Sequence, residues 1–207
     1  MISFFLMNLL VLISAVLINY KVFKVNDIID SLLSLFILYF AQIIFTESLL
    51  GIAGLLNLQN VILLNITLLL IVCYSTRNKK IFFDNFNLGN ALIKTLSNKT
   101  ILLVFSAILG FSLVKIFTNL INPPFGWDSL NYHFTFPVEW MKNGNLNNPI
   151  VVSDDPFPTY YPINGSLLFL WLMLPFKNAF LADLGQLPFF IISFLAILSI
   201  GKKLGLG

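Results

Sequence analysis

The chain has 207 residues, of which 58% are hydrophobic and only 10% charged, with a mean hydropathy of +0.91. A soluble domain of this size carries about 25% charged residues, so the surplus apolar surface must face lipid, and a water-soluble globular domain is excluded. Twelve Lys/Arg against nine Asp/Glu leave a net charge of +3, too weak and too clustered to suit nucleic acid, and the single cysteine, Cys73, excludes an intramolecular disulfide and a cysteine-based metal site.

Residues 1–20 carry no charge and lack the basic start and cleavage site of a signal peptide, so they read as a retained first span. Twenty residues of helix rise about 30 Å, the thickness of the hydrocarbon layer. Further apolar runs follow at 31–46, 55–76, 100–121, 162–176 and 184–201. Alternating strand patterns are absent, and a backbone in lipid must satisfy its own hydrogen bonds, which leaves helices. The expected fold is therefore all-α: a polytopic membrane helical bundle of about six transmembrane helices. Four lie in residues 1–121 and two in 164–207, and 122–163 form an external loop carrying an interfacial helix. Together they read as part of a larger membrane domain.

Basic residues set the expected orientation. Arg77, Lys79, Lys80, Lys94 and Lys99 face one acid, Asp84, which places this segment in the cytoplasm. Lys21 and Lys24 then also lie inside, and the long loop 122–163 lies outside. On a count of six spans, Lys202 and Lys203 also fall outside, against the same rule.

In the loop, Pro123, Pro124 and Gly126 end the fourth span, Asp128 or Ser129 is placed to cap a new helix, and Gly144 to stop it. On a helix, Leu130, Phe134, Val138 and Met141 form an apolar stripe flanked by Tyr132, Phe136 and Trp140, while Asp128, Asn131, Thr135, Glu139 and Lys142 make a polar face. Such a helix lies in the membrane interface, bent at Pro137. Asp128 then stands at the mouth of a span, where partial desolvation would strengthen a carboxylate as a general base, or where it could help hold a divalent cation. The competing reading is that Asp128 merely caps the helix. His133, the lone histidine, is either an interfacial structural residue or a substrate contact. Glu139, the pair Asp154 and Asp155, and Tyr161 are weaker substrate-binding candidates, with a solvated turn and an interface anchor as the plainer readings. Glu47 and Lys115 lie in or near the bilayer, where ionisable groups are usually paired or functional.

The run Trp127-Asp128-Ser129-Leu130-Asn131-Tyr132-His133, then Phe136-Pro137 and Trp140, then Tyr160-Tyr161-Pro162 opening the next span, resembles the first external loop of the GT-C glycosyltransferases. These are the multi-span enzymes similar to protein O-mannosyltransferases and lipid A aminoarabinose transferases. The likeness covers residues 100–205. It implies transfer of a sugar, with inversion, from a polyprenyl-phosphate donor to an acceptor on the outer face of the cell membrane. Asp128 falls on the family's catalytic acidic position, with His133, Glu139, Asp154, Asp155 and Tyr161 lining the site. Members of that family carry more spans than are expected here, so the resemblance also implies an N-terminal portion of such an enzyme. Two other functions fit the sequence: a non-catalytic or truncated membrane subunit working with a membrane partner, and a transporter or flippase component using Glu47 and Lys115.

Overall fold

A computed structural model describes residues 1–81, 97–122, 124, 126–149 and 156–205. Among them the chain is all-helical, as its composition requires. Helix α1 (Ile2–Ile18) continues into a π-helical turn, Asn19–Phe23, which Lys24 closes in the left-handed conformation at φ 53°. Helix α2 (Ile28–Ile52) starts at Asp27, whose carboxylate accepts from the amides of Ile29 and Asp30. Helix α3 (Leu58–Thr76) starts at Asn57 and α4 (Lys99–Ile121) at Asn98, each side-chain oxygen taking up first-turn amides that have no partner within the helix. Helix α5 (Thr135–Asn143) follows a π-helical turn, Ser129–His133, and α6 (Asn164–Met173) follows a short 3-10 turn, Phe157–Tyr160. A second 3-10 turn, Ala182–Leu184, leads into α7 (Leu187–Lys203).

Among the described residues five helical stretches are long and apolar enough to cross a membrane: Ile2–Phe23, Ile28–Ile52, Leu58–Thr76, Lys99–Ile121 and Ala182–Lys203. The structure departs from the six expected apolar runs at the fifth. The run 162–176 yields only the ten residues of α6, which rise about 15 Å, half the hydrocarbon thickness. Proline explains part of this: Pro162 precedes the helix, and Pro175 lies just beyond its end, where it cannot continue the hydrogen-bond ladder. Past α6 the chain turns back instead of crossing. Phe176 packs on Phe4 in the first turn of α1, with ring centroids 5.3 Å apart. Asn119, near the end of α4, donates to the Phe180 carbonyl at 2.8 Å, and Lys115 pairs with Asp183 at 3.3 Å.

This reversal decides where α7 ends. Lys202 pairs with Asp27, Lys203 pairs with Asp30 at 2.9 Å, and the Ser199 hydroxyl donates to Asp30. Lys21 reaches the Thr76 carbonyl at the same end of the bundle. Lys202 and Lys203, which a count of six spans sends to the far side, therefore lie at the same end as Lys21 and Arg77.

The core gathers α1, α2, α3, α5 and α6. Met7, Val11, Ile43, Val61, Trp140 and Trp171 are each no more than 2% exposed. Polar side chains stitch the helices together. Asn8 of α1 accepts from Tyr39 of α2 and, at 3.2 Å, from the indole N–H of Trp171 on α6. Gln42 of α2 donates to Asn65 of α3 at 2.9 Å. Glu47 lies on the buried stripe of α2 between Ile43 and Leu50, fully enclosed, and among the described residues neither carboxyl oxygen has a hydrogen-bond partner.

At the other end of α2, the loop after α5 is bound tightly. The amide of Leu146 donates to the Gly51 carbonyl at 3.2 Å, and that of Leu56 to the Gly144 carbonyl at 2.9 Å. A side chain on Gly51 would collide with Leu146, so glycine is required for this close approach. Gly51→Val is expected to destabilise the protein by about 1–3 kcal/mol, and Leu146→Ala in the same chain to recover part of that loss. Thermal unfolding in detergent reads both. Single cysteines introduced as Lys24→Cys and Leu204→Cys in a Cys73→Ser background should label with an impermeant maleimide from one face of the membrane, and Trp127→Cys from the opposite face. Labelling of Leu204→Cys alongside Trp127→Cys would restore the count of six.

Candidate functional site

The segment after α4 builds the site. Gly126, without a side chain, starts a helical turn through its carbonyl, which accepts from the Leu130 amide at 3.0 Å. Trp127 and Asp128 are already helical and the π turn Ser129–His133 follows, so the expected break falls at Phe134 rather than at Pro137. Pro137 occupies the third position of α5, where the absent N–H would have had no helical partner in any case. Gly144, at φ 69°, closes α5 in the left-handed conformation, as its sequence position predicts.

Asp128 does not cap the turn: its side chain makes no bond to first-turn amides and is exposed. The capping reading is therefore corrected, because the helix begins ahead of Asp128 and carries the carboxylate outward. The π turn brings Tyr132 beside it. Burial raises the Tyr132 phenol above its ordinary pKa, and the negative charge of Asp128 adds to the rise.

His133 points the other way, toward α6. Its ring lies 4.2 Å from that of Tyr132 and 5.5 Å, edge to face, from Phe169. Its Nδ1 lies 3.4 Å from the buried Ser166 hydroxyl in the first turn of α6. Burial depresses the His133 pKa, while the charge of Asp128 pulls it upward. Tyr161, from the segment returning to the bundle, packs edge-on against Tyr132 at 5.6 Å. The structure thus brings Asp128, Tyr132, His133, Tyr161 and Ser166 into one neighbourhood, although two stretches of chain more than twenty residues apart supply them.

Glu139 does not join them. It lies on α5 with its carboxylate 3.4 Å from the Lys142 ammonium, and both line a separate cleft. Asp154 and Asp155 lie outside the described residues. Ser166 was missed by sequence reasoning because a serine at the head of an apolar helix carries no signal of its own; its significance comes only from facing His133. Among the described residues no three His, Cys, Asp or Glu side chains come together.

Of the two groups that a membrane path would need, Lys115 is paired with Asp183 beside α4, whereas Glu47 is enclosed in the α2 core. No protein family, no curated protein and no solved structure matches the chain.

The chemistry the cluster offers is that of an open carboxylate next to a phenol and a half-buried imidazole. Because folding depresses the His133 pKa below its unfolded value near 6.5, the unfolded chain binds the proton more readily. Stability from this residue is full above about pH 6.5 and falls as the pH drops toward the folded value. Melting temperature should thus decline between pH 7 and 5 more steeply in the native chain than in His133→Gln. Equal slopes would show that burial of His133 does not depress its pKa.

Proposed function

We propose that this chain is a GT-C-like membrane glycosyltransferase, or the N-terminal part of one, taking a sugar from a polyprenyl-phosphate donor to an acceptor on the outer face of the cell membrane. The observation that carries this reading is the convergence of Asp128, Tyr132 and His133 with Tyr161 at one end of an apolar helical bundle. These residues belong to the two motifs on which the resemblance rests, and folding places them side by side. With five crossing helices and the positive-inside rule, Lys21, Arg77, Lys202 and Lys203 are cytoplasmic and the cluster is external.

In this reading Asp128 accepts the proton of an acceptor hydroxyl. The acceptor oxygen forms a bond to the sugar's anomeric carbon from the face opposite the departing group, the bond from that carbon to the phosphate oxygen breaks, and polyprenyl phosphate leaves. The exposure of Asp128 suits an acceptor arriving from water, and the rings of Tyr132 and Tyr161 offer apolar faces beside it for a sugar. His133, tied to Ser166, is placed to orient the π turn that carries the carboxylate.

A second reading has one observation in its favour. No lysine or arginine touches the Asp128 cluster among the described residues, so the cluster itself holds no cation for a phosphate. That fits a membrane subunit whose partner supplies the charge.

Asp128→Asn should lower transfer from a polyprenyl-phosphate-linked sugar by about 100-fold or more, with membrane insertion and melting temperature unchanged. Transfer is followed in native membranes, where any partner is present. Retained transfer would take Asp128 out of the chemistry. No turnover by the native chain on any lipid-linked sugar would favour the subunit reading.

A further inference from the structure

The π turn and α5 together present two different apolar faces. Phe136 and Trp140 go into the bundle core, each no more than 3% exposed. The stripe made by Leu130, Phe134 and Val138 turns elsewhere, into a cleft of about 600 Å³ between α5 and the turn that follows α6. Met173 completes its apolar wall. The rim is charged: Lys142 stands on one side and Lys177 on the other, with Glu139 as the only acidic residue lining the cleft among the described residues. Glu139 is engaged by Lys142, whereas Lys177 pairs with no carboxylate among the described residues.

Two more features bear on the occupant. Lys177 holds φ at 55°, a left-handed conformation that glycine or asparagine adopts with less strain. A lysine is therefore kept in a turn that disfavours it, and the turn sets it on the cleft rim. The cleft also lies where the helices end, beside the close of α4 at Pro124 and near the turn where Phe176 meets Phe4. For helices that cross a bilayer, this is the level of the lipid headgroups.

We propose that this cleft binds an acidic bilayer phospholipid, with its acyl chain along Leu130, Phe134 and Val138 and its phosphate between Lys142 and Lys177. An apolar wall with a net positive rim at headgroup depth suits a molecule with an anionic phosphate above a hydrocarbon chain. A zwitterionic phospholipid fills the wall equally well but brings its own cation to the lysines. The site is separate from the Asp128 cluster and does not depend on the glycosyltransferase reading.

The test uses the whole chain, purified in detergent, stripped of lipid and titrated with dioleoyl phosphatidylglycerol or dioleoyl phosphatidylcholine, with bound lipid counted by native mass spectrometry. Phosphatidylglycerol should be retained at concentrations about fivefold or more lower than phosphatidylcholine. The double substitution Lys142→Gln with Lys177→Gln should abolish that preference, and Lys21→Gln with Lys24→Gln, at the opposite end of the bundle, should leave it intact. Leu130→Glu, which adds a carboxylate at an exposed position on the wall, should abolish it independently. Equal retention of the two lipids by the native chain would overturn the proposal. So would a preference that survives both cleft changes. Competition by sn-glycerol 3-phosphate as effective as that of the lipid would show a site for a soluble anion instead, and the lipid assignment would fall.

Discussion

Helix α6 is too short to cross the apolar layer, and much of the architecture depends on that. Its ten residues end where Pro175 stops the ladder, so the chain must turn back toward the end of the bundle from which it entered. The return lays Phe176 on Phe4, Phe180 on Asn119 and Asp183 on Lys115. It also sends α7 toward the Asp27 end, where two lysines meet two aspartates. With a full crossing at α6, those lysines would lie beside the candidate site. The same short helix offers Ser166 and Phe169 to His133.

In an apolar layer a polar side chain has no water to fall back on, so such groups here either bond back to their own helix, as Ser14 and Thr118 do, or bridge to a neighbour. Asn8 joins α1 to α2 and α6, Gln42 joins α2 to α3, and Asn19 donates to Ser31 at 2.8 Å where α1 gives way to α2. These bridges fix the rotation of each helix, a task that apolar contact alone performs weakly among side chains as uniform as these. Glu47 differs: it is enclosed, and among the described residues its carboxyl oxygens have no hydrogen-bond partner. The contrast with Lys115 is instructive: both are ionisable groups within apolar runs, yet among the described residues only Lys115 has a counter-charge.

The loop after α4 shows how one short helix can serve two surfaces. A single apolar stripe at spacings of four and three would lie flat on a membrane. The stripe is present, but the flanking Phe136 and Trp140 enter the main core, Phe134 packs into a second cluster with Phe169 and Met173, and Leu130, Phe134 and Val138 line the cleft. Periodicity ranks faces by polarity. It does not say which of two apolar faces meets protein, because that depends on where α6 and the Gly51–Leu146 contact hold the helix.

The sequence by itself determined that the chain is helical and apolar enough to cross a membrane, where the five long helical stretches lie, and that Gly144 ends α5. Charge-free runs of bilayer length and a glycine able to adopt positive φ are local properties, and local physics reads them directly. It also singled out Asp128, Tyr132, His133 and Tyr161 from motif order. Only the tertiary structure decided that residues 162–176 do not make a full span, that Lys202 and Lys203 return to Asp27 and Asp30, that Glu139 stands apart from Asp128, and that Ser166 faces His133. Each of these joins residues far apart in the chain. Their meeting is set by how α6 turns and packs, and no spacing along the sequence encodes that packing.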